Sequence, residues 1–447
     1  MRNPVPLVLA AALWVAAGCT PSPAASPSAL PSATPAVDAA LTPTPSPTPE
    51  PSATPEPTPT SSPTPAPAPG TLPITAETMG QIRTLWTQDY VVEQADESCY
   101  LMDCFAPSQV FGVAFSPDGS RLALGYCEAP RENRSNPRHY RFYCESAPQV
   151  RLVEAATGNE LARFETAEIP LAIAFHPERP VAAFGLANRD IELWDLEERT
   201  KFRTLSHSSK RTGVERLAFT PDGTWLISLG DTQLQLWNWE NPPFLQGTID
   251  GIWRAALSPD GDRLATIWLG QRIVRGRVYD LPFTGRFSEF ATDGASSLGY
   301  SPDGSLLIVA KSVGTAVFDA TSGEPIREYP YEALGSEMML TQTGLFSADG
   351  SLLWDVAELG DADVTETACG PMLWDPQLGK GRYARLLDEA CFAWEDSFVY
   401  AVSQLERLLS PDQRLLLIVK DGDLQIRGVD PAQPPVEPVC LGACGEG

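Results

Sequence analysis

The sequence is poor in histidine and in basic residues, and it lacks the common short catalytic motifs. Only three histidines occur among 447 residues, and none stands at the spacing of an HExxH zinc site. No GxSxG, GxxxxGK[ST], GxGxxG or SxxK stretch is present, so several large enzyme classes have no sequence support. Lys and Arg number 32 against 57 Asp and Glu, for a formal charge of -25. A chain this acidic is repelled by phosphate backbones, which excludes nucleic acid as a principal partner.

The N-terminal apolar run is too short to cross a membrane. It covers residues 5–17, whereas a bilayer core of ~30 Å needs about 20 apolar residues. With Arg2 before it and Cys19 after it, the run predicts an export signal over residues 1–18. Residues 16–19 (AAGC) resemble a bacterial lipobox, and the resemblance implies acylation of Cys19 and a lipid-anchored, extracytoplasmic protein. An ordinary signal peptide is the alternative.

A proline-rich segment follows Cys19. Seventeen of the 51 residues from Thr20 to Gly70 are proline, and the segment has no aromatic residue and no Lys or Arg. Such a composition cannot bury a core, and the missing backbone donors favour polyproline II and coil. We therefore predict a disordered stalk over residues 19–77.

The remainder of the chain repeats a four-residue turn motif. Pro presets φ at the second turn position, Asp can accept from the backbone, and Gly adopts the left-handed conformation. Successive second positions differ by 60, 44, 38, 43, 46 and 63 residues, and the four middle values match the length of a four-stranded propeller blade. The seven copies begin at Ser116, His176, Thr220, Ser258, Ser301, Ser347 and Ser410.

Apolar runs surround each turn, and several end in an aromatic residue followed by Asp or Asn. Residues 191–196 (IELWDL) and 318–323 (FDATSG) are examples. These residues resemble the WD-repeat β-propellers, and the resemblance covers residues 79–430. It implies an all-β fold, a seven-bladed propeller of four-stranded antiparallel blades. Of the buried network that such repeats often contain, His207, Asp190 and Asp231 are the partial matches, so packing of Trp, Phe and Leu between blades must carry more of the stability.

The last blade lacks a fourth strand of its own. Its second and third strands fit residues 414–419 and 424–429, but Pro431, Pro434, Pro435 and Pro438 argue against a further ladder. We therefore predict that residues 78–85 (TMGQIRTL) complete this blade and close the ring. The resulting organisation is a signal peptide over 1–18, a stalk over 19–77, a propeller over 78–430 and a tail over 431–447.

Closure in this way also sets a direction. In such blades the first-to-second and third-to-fourth turns share one face, and the second-to-third and inter-blade loops share the other. A strand that starts at residue 78 begins on the face that carries the proline turns. We therefore expect the opposite, loop-bearing face to be free to meet a partner.

Eight cysteines remain beyond Cys19, an even number that favours disulfides in an exported chain. Thiol-bound metal is the alternative, but no CxxC pair is present. Four pairs are expected, and the first two could exchange partners because their four thiols should lie near one another. The expected pairs are Cys99 with Cys104, Cys127 with Cys144, Cys369 with Cys391, and Cys440 with Cys444.

Two long insertions enter second-to-third loops. The insertion in blade six, over residues 359–370, is acidic, with Asp355, Glu358, Asp361, Asp363 and Glu366 in or beside it; charge repulsion on a loop is the first interpretation and Ca²⁺ binding the second. The insertion in blade one, over residues 127–144, is basic and aromatic, a composition typical of interface hot spots, although a solvated loop would also explain it. Its candidate partner-binding residues are Arg131, Arg134, Arg138, Tyr140 and Phe142.

These features favour a surface-anchored, non-catalytic propeller that binds a protein or glycan partner through its loop-bearing face. No cofactor or metal is expected, the membrane is contacted only through the lipid anchor, and a monomer is expected. Two alternatives remain: a propeller hydrolase with carboxylates at the central channel, and an envelope assembly scaffold with obligate partners.

Overall fold

The computed structural model describes part of the chain, and its elements in those ranges are β-strands. Of the described residues, none forms a helix with the length and apolar character needed to cross a bilayer. The signal peptide, Cys19 and nearly all of the expected stalk lie outside the described residues, which are 67–75, 78, 81–89, 110–128, 130–132, 142–269, 274–291, 295–311, 314–330, 338–347, 353–359, 368–375, 380–383, 409–420, 423–435 and 439–441.

Seven antiparallel sheets follow one another along the chain as the blades of a propeller, which confirms the predicted fold class. Among the described residues, five blades have four strands, blade six has five and blade seven has three. The first strand β1 (Ile82–Asp89) belongs to blade seven. Blades one and two contain β2 (Val110–Phe115), β3 (Arg121–Tyr126), β4 (Pro130–Glu132), β5 (Phe142–Cys144), β6 (Gln149–Glu154), β7 (Glu160–Glu165), β8 (Pro170–Phe175), β9 (Val181–Leu186), β10 (Asp190–Asp195) and β11 (Thr200–Ser206), with β4 and β5 forming a separate hairpin.

Blades three to five repeat the same order of four strands. Blade three contains β12 (Arg216–Phe219), β13 (Leu226–Gly230), β14 (Gln233–Trp237) and β15 (Leu245–Asp250). Blade four contains β16 (Ile252–Leu257), β17 (Arg263–Leu269), β18 (Val274–Asp280) and β19 (Phe287–Ala291). Blade five contains β20 (Ala295–Tyr300), β21 (Leu306–Lys311), β22 (Gly314–Asp319) and β23 (Pro325–Pro330).

Blades six and seven are completed by the two ends of the chain. Blade six contains β24 (Met338–Phe346), β25 (Leu353–Leu359), β26 (Ala368–Asp375), β27 (Lys380–Tyr383) and β30 (Val439–Leu441). Blade seven contains β28 (Leu415–Lys420), β29 (Asp423–Val429) and β1, and an isolated bridge joins Leu409 to Leu416.

The core lies between neighbouring blades. All six residues of β9 are buried because both faces of this strand are covered, whereas β11 at the rim buries only Leu205. Phe164 of blade one packs edge-on against Phe184 and Trp194 of blade two, with ring centroids 5.8 Å and 5.6 Å away. This packing agrees with the expectation that large apolar side chains join the blades.

The proline turns have the predicted chemistry. In blade five, Ser301 Oγ donates to Asp303 Oδ1 over 2.5 Å and accepts from the backbone N–H of Leu306 over 2.9 Å. Gly304 has a φ of 70°, in the left-handed region. Blade two differs, because His176 replaces the hydroxyl residue and its Nδ1 accepts from two backbone N–H groups instead. The Ser or Thr to Asp pair recurs in blades one, three, four and seven at Ser116, Thr220, Ser258 and Ser410.

The N-terminal strand closes the ring as predicted, but with different bounds. Strand β1 pairs with β29 from Ile82 opposite Val429 to Asp89 opposite Asp423, so it starts later than the expected residue 78. The preceding residues form a turn instead, because Thr78 Oγ1 donates to the Pro73 carbonyl and accepts from the N–H of Thr75. Such side-chain to backbone bonds compete with a strand ladder.

This N-terminal segment lies on the face of the proline turns, as predicted. The N–H of Ile74 donates to the carbonyl of Gln413, in the turn of blade seven, over 2.8 Å. The side chain of Ile74 is buried in the cluster that joins blade seven to blade one.

The C-terminal tail makes a strand that the sequence prediction missed. Strand β30 pairs with β27, placing Cys440 opposite Arg382. The prolines do not prevent this ladder, because all four precede the paired residues and the tail joins blade six instead of blade seven. On the way, the carbonyls of Gln433 and Pro434 accept from the side chains of Gln81 and Arg83.

The acidic insertion of blade six is shorter than expected. Strands β25 and β26 extend into the predicted loop, so only residues 360–367 separate the two strands. Asp355 and Glu358, which precede the predicted loop, lie in β25. Asp361, Asp363 and Glu366 lie outside the described residues. Within the part of the chain that the structure describes, no three His, Cys, Asp or Glu side chains are grouped as metal ligands would be.

Candidate functional site

A disulfide-bonded hairpin rises from the loop-bearing face of blade one. It pairs β4 with β5 through Pro130 opposite Cys144, Arg131 opposite Tyr143, and Glu132 opposite Phe142. At its base Cys127 and Cys144 form a disulfide with a Cα–Cα distance of 5.8 Å, across a sequence separation of 17. The crosslink removes conformational freedom at the point where the insertion leaves the blade.

The base of the hairpin is packed into the seam between blades one and two. Cys127 is fully buried in a cluster with Phe111, Ile169 and Leu171, and Cys144 and Ala187 pack against that cluster. Ala187 belongs to the turn between β9 and β10, so two blades hold the hairpin. Its direction is therefore set by the core and not only by the disulfide.

The structure describes the predicted partner-binding residues only in part. Arg131 and Phe142 lie in the strands of the hairpin, while Arg134, Arg138 and Tyr140 lie outside the described residues. Tyr143, next to the disulfide, is 43% exposed. Of the other predicted disulfides, Cys369 and Cys440 lie in strands β26 and β30, and Cys99, Cys104, Cys391 and Cys444 lie outside the described residues.

Three cations lie in two loops on the same face as the hairpin, and the sequence analysis did not identify them. Arg189 is in the turn that follows β9, and Lys210 and Arg211 are in the loop from blade two to blade three. Arg189 Nη1 donates to the Ser209 carbonyl over 3.1 Å, which brings the two loops together. We call Arg189, Lys210 and Arg211 the cationic patch. Each residue lies in a short loop whose sequence carries no recognisable motif. Only the tertiary structure shows that the three residues share a face.

The patch is partly balanced by one carboxylate. Arg211 donates from Nε and Nη2 to Asp231 Oδ1 over 2.9 Å and 2.7 Å. This contact raises the pKa of Arg211, through the hydrogen bond first and the charge of Asp231 second. The side chain of Arg211 is nevertheless 74% exposed, and an ion pair so accessible to water is weak and easily exchanged for another anion.

A buried histidine holds the loop that carries the patch. His207 Nδ1 accepts from the backbone N–H of Ser209 over 3.0 Å, which leaves the proton of the neutral ring on Nε2. Burial lowers the pKa of His207 to about 4. The predicted network in this blade is partial, because Trp237 Nε1 donates to Ser228 Oγ over 2.8 Å while Asp231 binds Arg211. Asp190, the other partial match, accepts from Ser206 Oγ over 2.9 Å.

The first strands of blades one to four border a central cavity that is lined mainly by apolar side chains, some of them from the second and third strands of blades three and four. The described lining residues include Val113, Phe115, Ile173 and Leu217, and Arg216 is the charged residue among them. The hydrolase alternative requires two carboxylates at this channel. No Asp or Glu is found among the described residues of the channel wall.

Comparison with known proteins shows that the segment around the patch-bearing loop is similar to a known repeat family. Residues 199–238 match the family described as "WD domain, G-beta repeat". In the structure this stretch is the outer strand of blade two, the patch-bearing loop and the first three strands of blade three.

A stretch of 101 residues is 30% identical to the "Periodic tryptophan protein 2 homolog" of Neurospora crassa. The similarity covers 21% of this chain and 11% of that protein, so the chain spans about a tenth of its relative. These findings support a WD-repeat propeller, and the matched repeat is the one that contains His207, Asp231 and Trp237.

Proposed function

We propose that this chain is a non-catalytic binding propeller that presents its loop-bearing face to an acidic segment of a protein partner. The observation that carries the proposal is the cationic patch, on the face that also carries the disulfide-held hairpin, in a chain whose formal charge is -25. An acidic protein surface attracts cationic ligands, whereas a local cluster of Arg and Lys on that surface attracts anionic ligands. The match to a WD repeat supports a role in protein interaction.

The site combines rigidity with exposed polar and aromatic groups. The hairpin is held by a disulfide and by the core cluster, and the neighbouring loop is held by His207. A surface that is already ordered loses little conformational entropy on binding. Arg and Tyr are the residue types most enriched at interface hot spots, which fits Arg131, Arg211 and Tyr143 as contacts.

The proposal is tested with a photo-crosslinking amino acid placed in the full chain in its native cell. At position 143 we expect capture of a discrete partner, whereas at position 287, an exposed rim position that is 46% accessible, we expect none. Replacement of Arg189, Lys210 and Arg211 by Ala should reduce capture at position 143 at least tenfold.

A matched control removes the same charge elsewhere. Replacement of Arg199, Arg286 and Arg414 by Ala takes three exposed cations from other parts of the molecule and should leave capture at position 143 unchanged. Equal capture at positions 143 and 287, or equal loss in both triple variants, would show that the loop-bearing face is not the binding surface. A further variant, with Ala at Arg134, Arg138 and Tyr140, measures the contribution of these predicted partner-binding residues.

We further propose that the propeller is exported and anchored through Cys19. The lipobox-like residues 16–19 support this, and so does the entry of the N-terminal segment at the proline-turn face through Ile74 and Gln413. An anchor on that side leaves the opposite face accessible. Mass spectrometry of the mature N-terminus tests the proposal: a diacylglyceryl mass on Cys19 that is lost in Cys19→Ser supports it, and an unmodified Cys19 contradicts it.

A further inference from the structure

Two neighbouring loops at the rim of blades three and four are apolar and almost uncharged. They join the third strand to the fourth, over residues 238–244 in blade three and 281–286 in blade four. Residues 241–247 (NPPFLQG) and 281–288 (LPFTGRFS), which include the start of each outer strand, contain no Asp or Glu and a single Arg. On a chain with 57 acidic residues, this sector of the surface differs from the rest in its chemistry.

Five apolar side chains of this sector are exposed to solvent. Leu245 and Phe287 are 43% and 46% exposed. Pro242, Pro243 and Pro282 are exposed beside them. We call these five residues the apolar patch. Single exposed apolar side chains are ordinary on a protein surface, whereas several of them gathered on one surface mark contact with another molecule or with a membrane.

Packing between the two loops makes them one surface. A Cβ on Gly247, in β15 of blade three, would lie 2.6 Å from Cδ2 of Phe283, so Phe283 of blade four lies directly on this strand. The Phe283 ring also contacts Tyr279, with ring centroids 6.0 Å apart, and the Phe287 ring lies 5.5 Å from that of Tyr279. The exposed residues of blade four are thereby joined to those of blade three.

Contacts beneath the apolar patch hold both loops in place. In blade three, the N–H of Asn238 donates to the carbonyl of Phe244 over 2.7 Å, and the guanidinium carbon of Arg203 lies 4.7 Å from the centroid of the Phe244 ring. In blade four, the guanidinium carbon of Arg277 lies 4.4 Å from the centroid of the Phe287 ring. A surface that is ordered beforehand loses little conformational entropy when it is covered.

The loops lie at the proline-turn face. The N–H of Leu281 donates over 2.7 Å to the carbonyl of Asp262, which directly follows the turn of blade four. Trp239 Nε1 donates over 2.8 Å to the carbonyl of Gly223, in the turn of blade three. The N-terminal segment enters on this same face. The proposed anchor at Cys19 therefore puts the apolar patch on the side of the bilayer, opposite the face proposed to meet the protein partner.

We infer that the apolar patch rests on the bilayer, with Leu245 and Phe287 at the boundary between headgroups and acyl chains. This inference depends on the proposed anchor for its place in the cell and adds a second contact with the membrane. Leu, Phe and Pro suit that depth because they lose exposed apolar area there and no carboxylate has to leave water. Charge does not drive the contact, since a chain of -25 is repelled by anionic lipid, so neutral phosphatidylcholine is the better surface.

The first experiment places a photo-crosslinking amino acid in the full chain with Cys19→Ser and adds vesicles of radiolabelled phosphatidylcholine. At positions 245 and 287 we expect a lipid adduct, which its small mass distinguishes from capture of a protein. Leu161 and Ile326 are the control positions, because they are 45% and 56% exposed on the outer strands of blades one and five, outside the apolar patch. Adducts there should be at least fivefold fewer. The N-terminal apolar run is common to all four proteins and cannot cause this difference.

Cosedimentation of the same chain with vesicles measures the affinity. Leu245→Ser combined with Phe287→Ser should weaken binding about tenfold, whereas Leu161→Ser combined with Ile326→Ser should leave it unchanged. Circular dichroism verifies the fold of both double variants, whose substituted positions are exposed. Binding should persist in about 0.5 M salt and weaken when phosphatidylglycerol is added, because charge opposes the contact.

Several outcomes overturn the inference. These are absence of lipid adducts at positions 245 and 287, equal adducts at all four positions, equal weakening in both double variants, and binding that is lost in salt. An adduct between two copies of the chain at position 245, in place of lipid, assigns the apolar patch to self-association. None of these results bears on the anchor, because every protein carries Cys19→Ser and the mass of the native N-terminus tests the anchor separately.

Discussion

The indole N–H of Trp86 donates a hydrogen bond to the carbonyl oxygen of Ala155 over 2.8 Å. Trp86 lies on β1, the outer strand of blade seven, whereas Ala155 follows β6 in blade one. Gly158 makes the contact possible, because a Cβ at that position would lie 2.8 Å from the Trp86 ring. The N-terminal strand is therefore hydrogen-bonded to blade seven through its ladder and to blade one through the Trp86 side chain.

Loss of this bond should loosen the closure of the ring. We expect Trp86→Phe to lower the free energy of unfolding by about 1 kcal/mol, the typical worth of one hydrogen bond. Trp86→Ala, which also removes ring packing, should lower it by about 3 kcal/mol. Denaturant unfolding gives the energies, and hydrogen exchange should show faster opening of Ile82–Asp89. Trp225→Phe in blade three is the control, and equal exchange of β1 in both Phe variants would contradict the prediction.

Substitution of two glycines distinguishes the cost of a left-handed backbone from the cost of a side-chain contact. Gly223 and Gly285 have φ angles of 70° and 79°, but a Cβ on Gly223 would lie 2.2 Å from His176 Nε2, whereas Gly285 has no atom within 4 Å. We expect Gly285→Ala to cost about 1 kcal/mol from the left-handed backbone alone. Gly223→Ala should cost about 3 kcal/mol, because His176 must move as well. Equal destabilisation, measured by denaturant at one pH, would show that the contact with His176 contributes nothing.

Mild acid should destabilise the fold through His207. Its folded pKa of about 4 lies below the usual 6.5, so the unfolded chain takes up the proton first as the pH falls. The contribution is complete above pH 6.5 and is lost between pH 6.5 and about 4, a change of about 3 kcal/mol at ~1.4 kcal/mol for each pKa unit. The free energy of unfolding at several pH values in this window measures it.

The matched variant for this prediction is His207→Asn, which can still accept from Ser209. It should flatten the dependence on pH and leave the part that comes from His176, whose pKa is also lowered by burial. Glu215 is common to both proteins and titrates in the opposite sense, since burial raises its pKa. The same slope in both proteins would rule out His207 as its source.

The disulfide at the base of the hairpin should matter locally. Replacement of Cys127 and Cys144 together by Ala should lower stability by about 3 kcal/mol, the entropic value for a loop of this size. Amides of Arg131, Glu132, Phe142 and Tyr143 should exchange faster, while those of β3 and β6 keep their protection. Unchanged exchange in the hairpin would mean that the cluster around Phe111 and Ile169 orders it alone.

Local chemistry was predictable wherever a few adjacent residues decide the conformation. The turn at Ser301 to Gly304 needs only a hydroxyl, a proline, a carboxylate and a glycine within four positions, so its repetition predicted the number of blades. The closing strand was predicted from the prolines after the last blade, which left that blade without a fourth strand of its own. The hairpin was recognised as an insertion for the same reason, because it lengthens one interval between turns. The burial of Trp194 and Trp237 agrees with the expected packing of Trp between the blades.

Relationships between distant residues were decided by the tertiary structure. The N-terminal segment reaches the turn of blade seven through the bond between Ile74 and Gln413, which are far apart in sequence. The fifth strand of blade six, the cationic patch and the place of Arg216 in the central cavity have the same origin. Short-range hydrogen bonds are encoded by neighbouring residues, whereas the closed ring brings together side chains whose identities carry no local sign of their contacts.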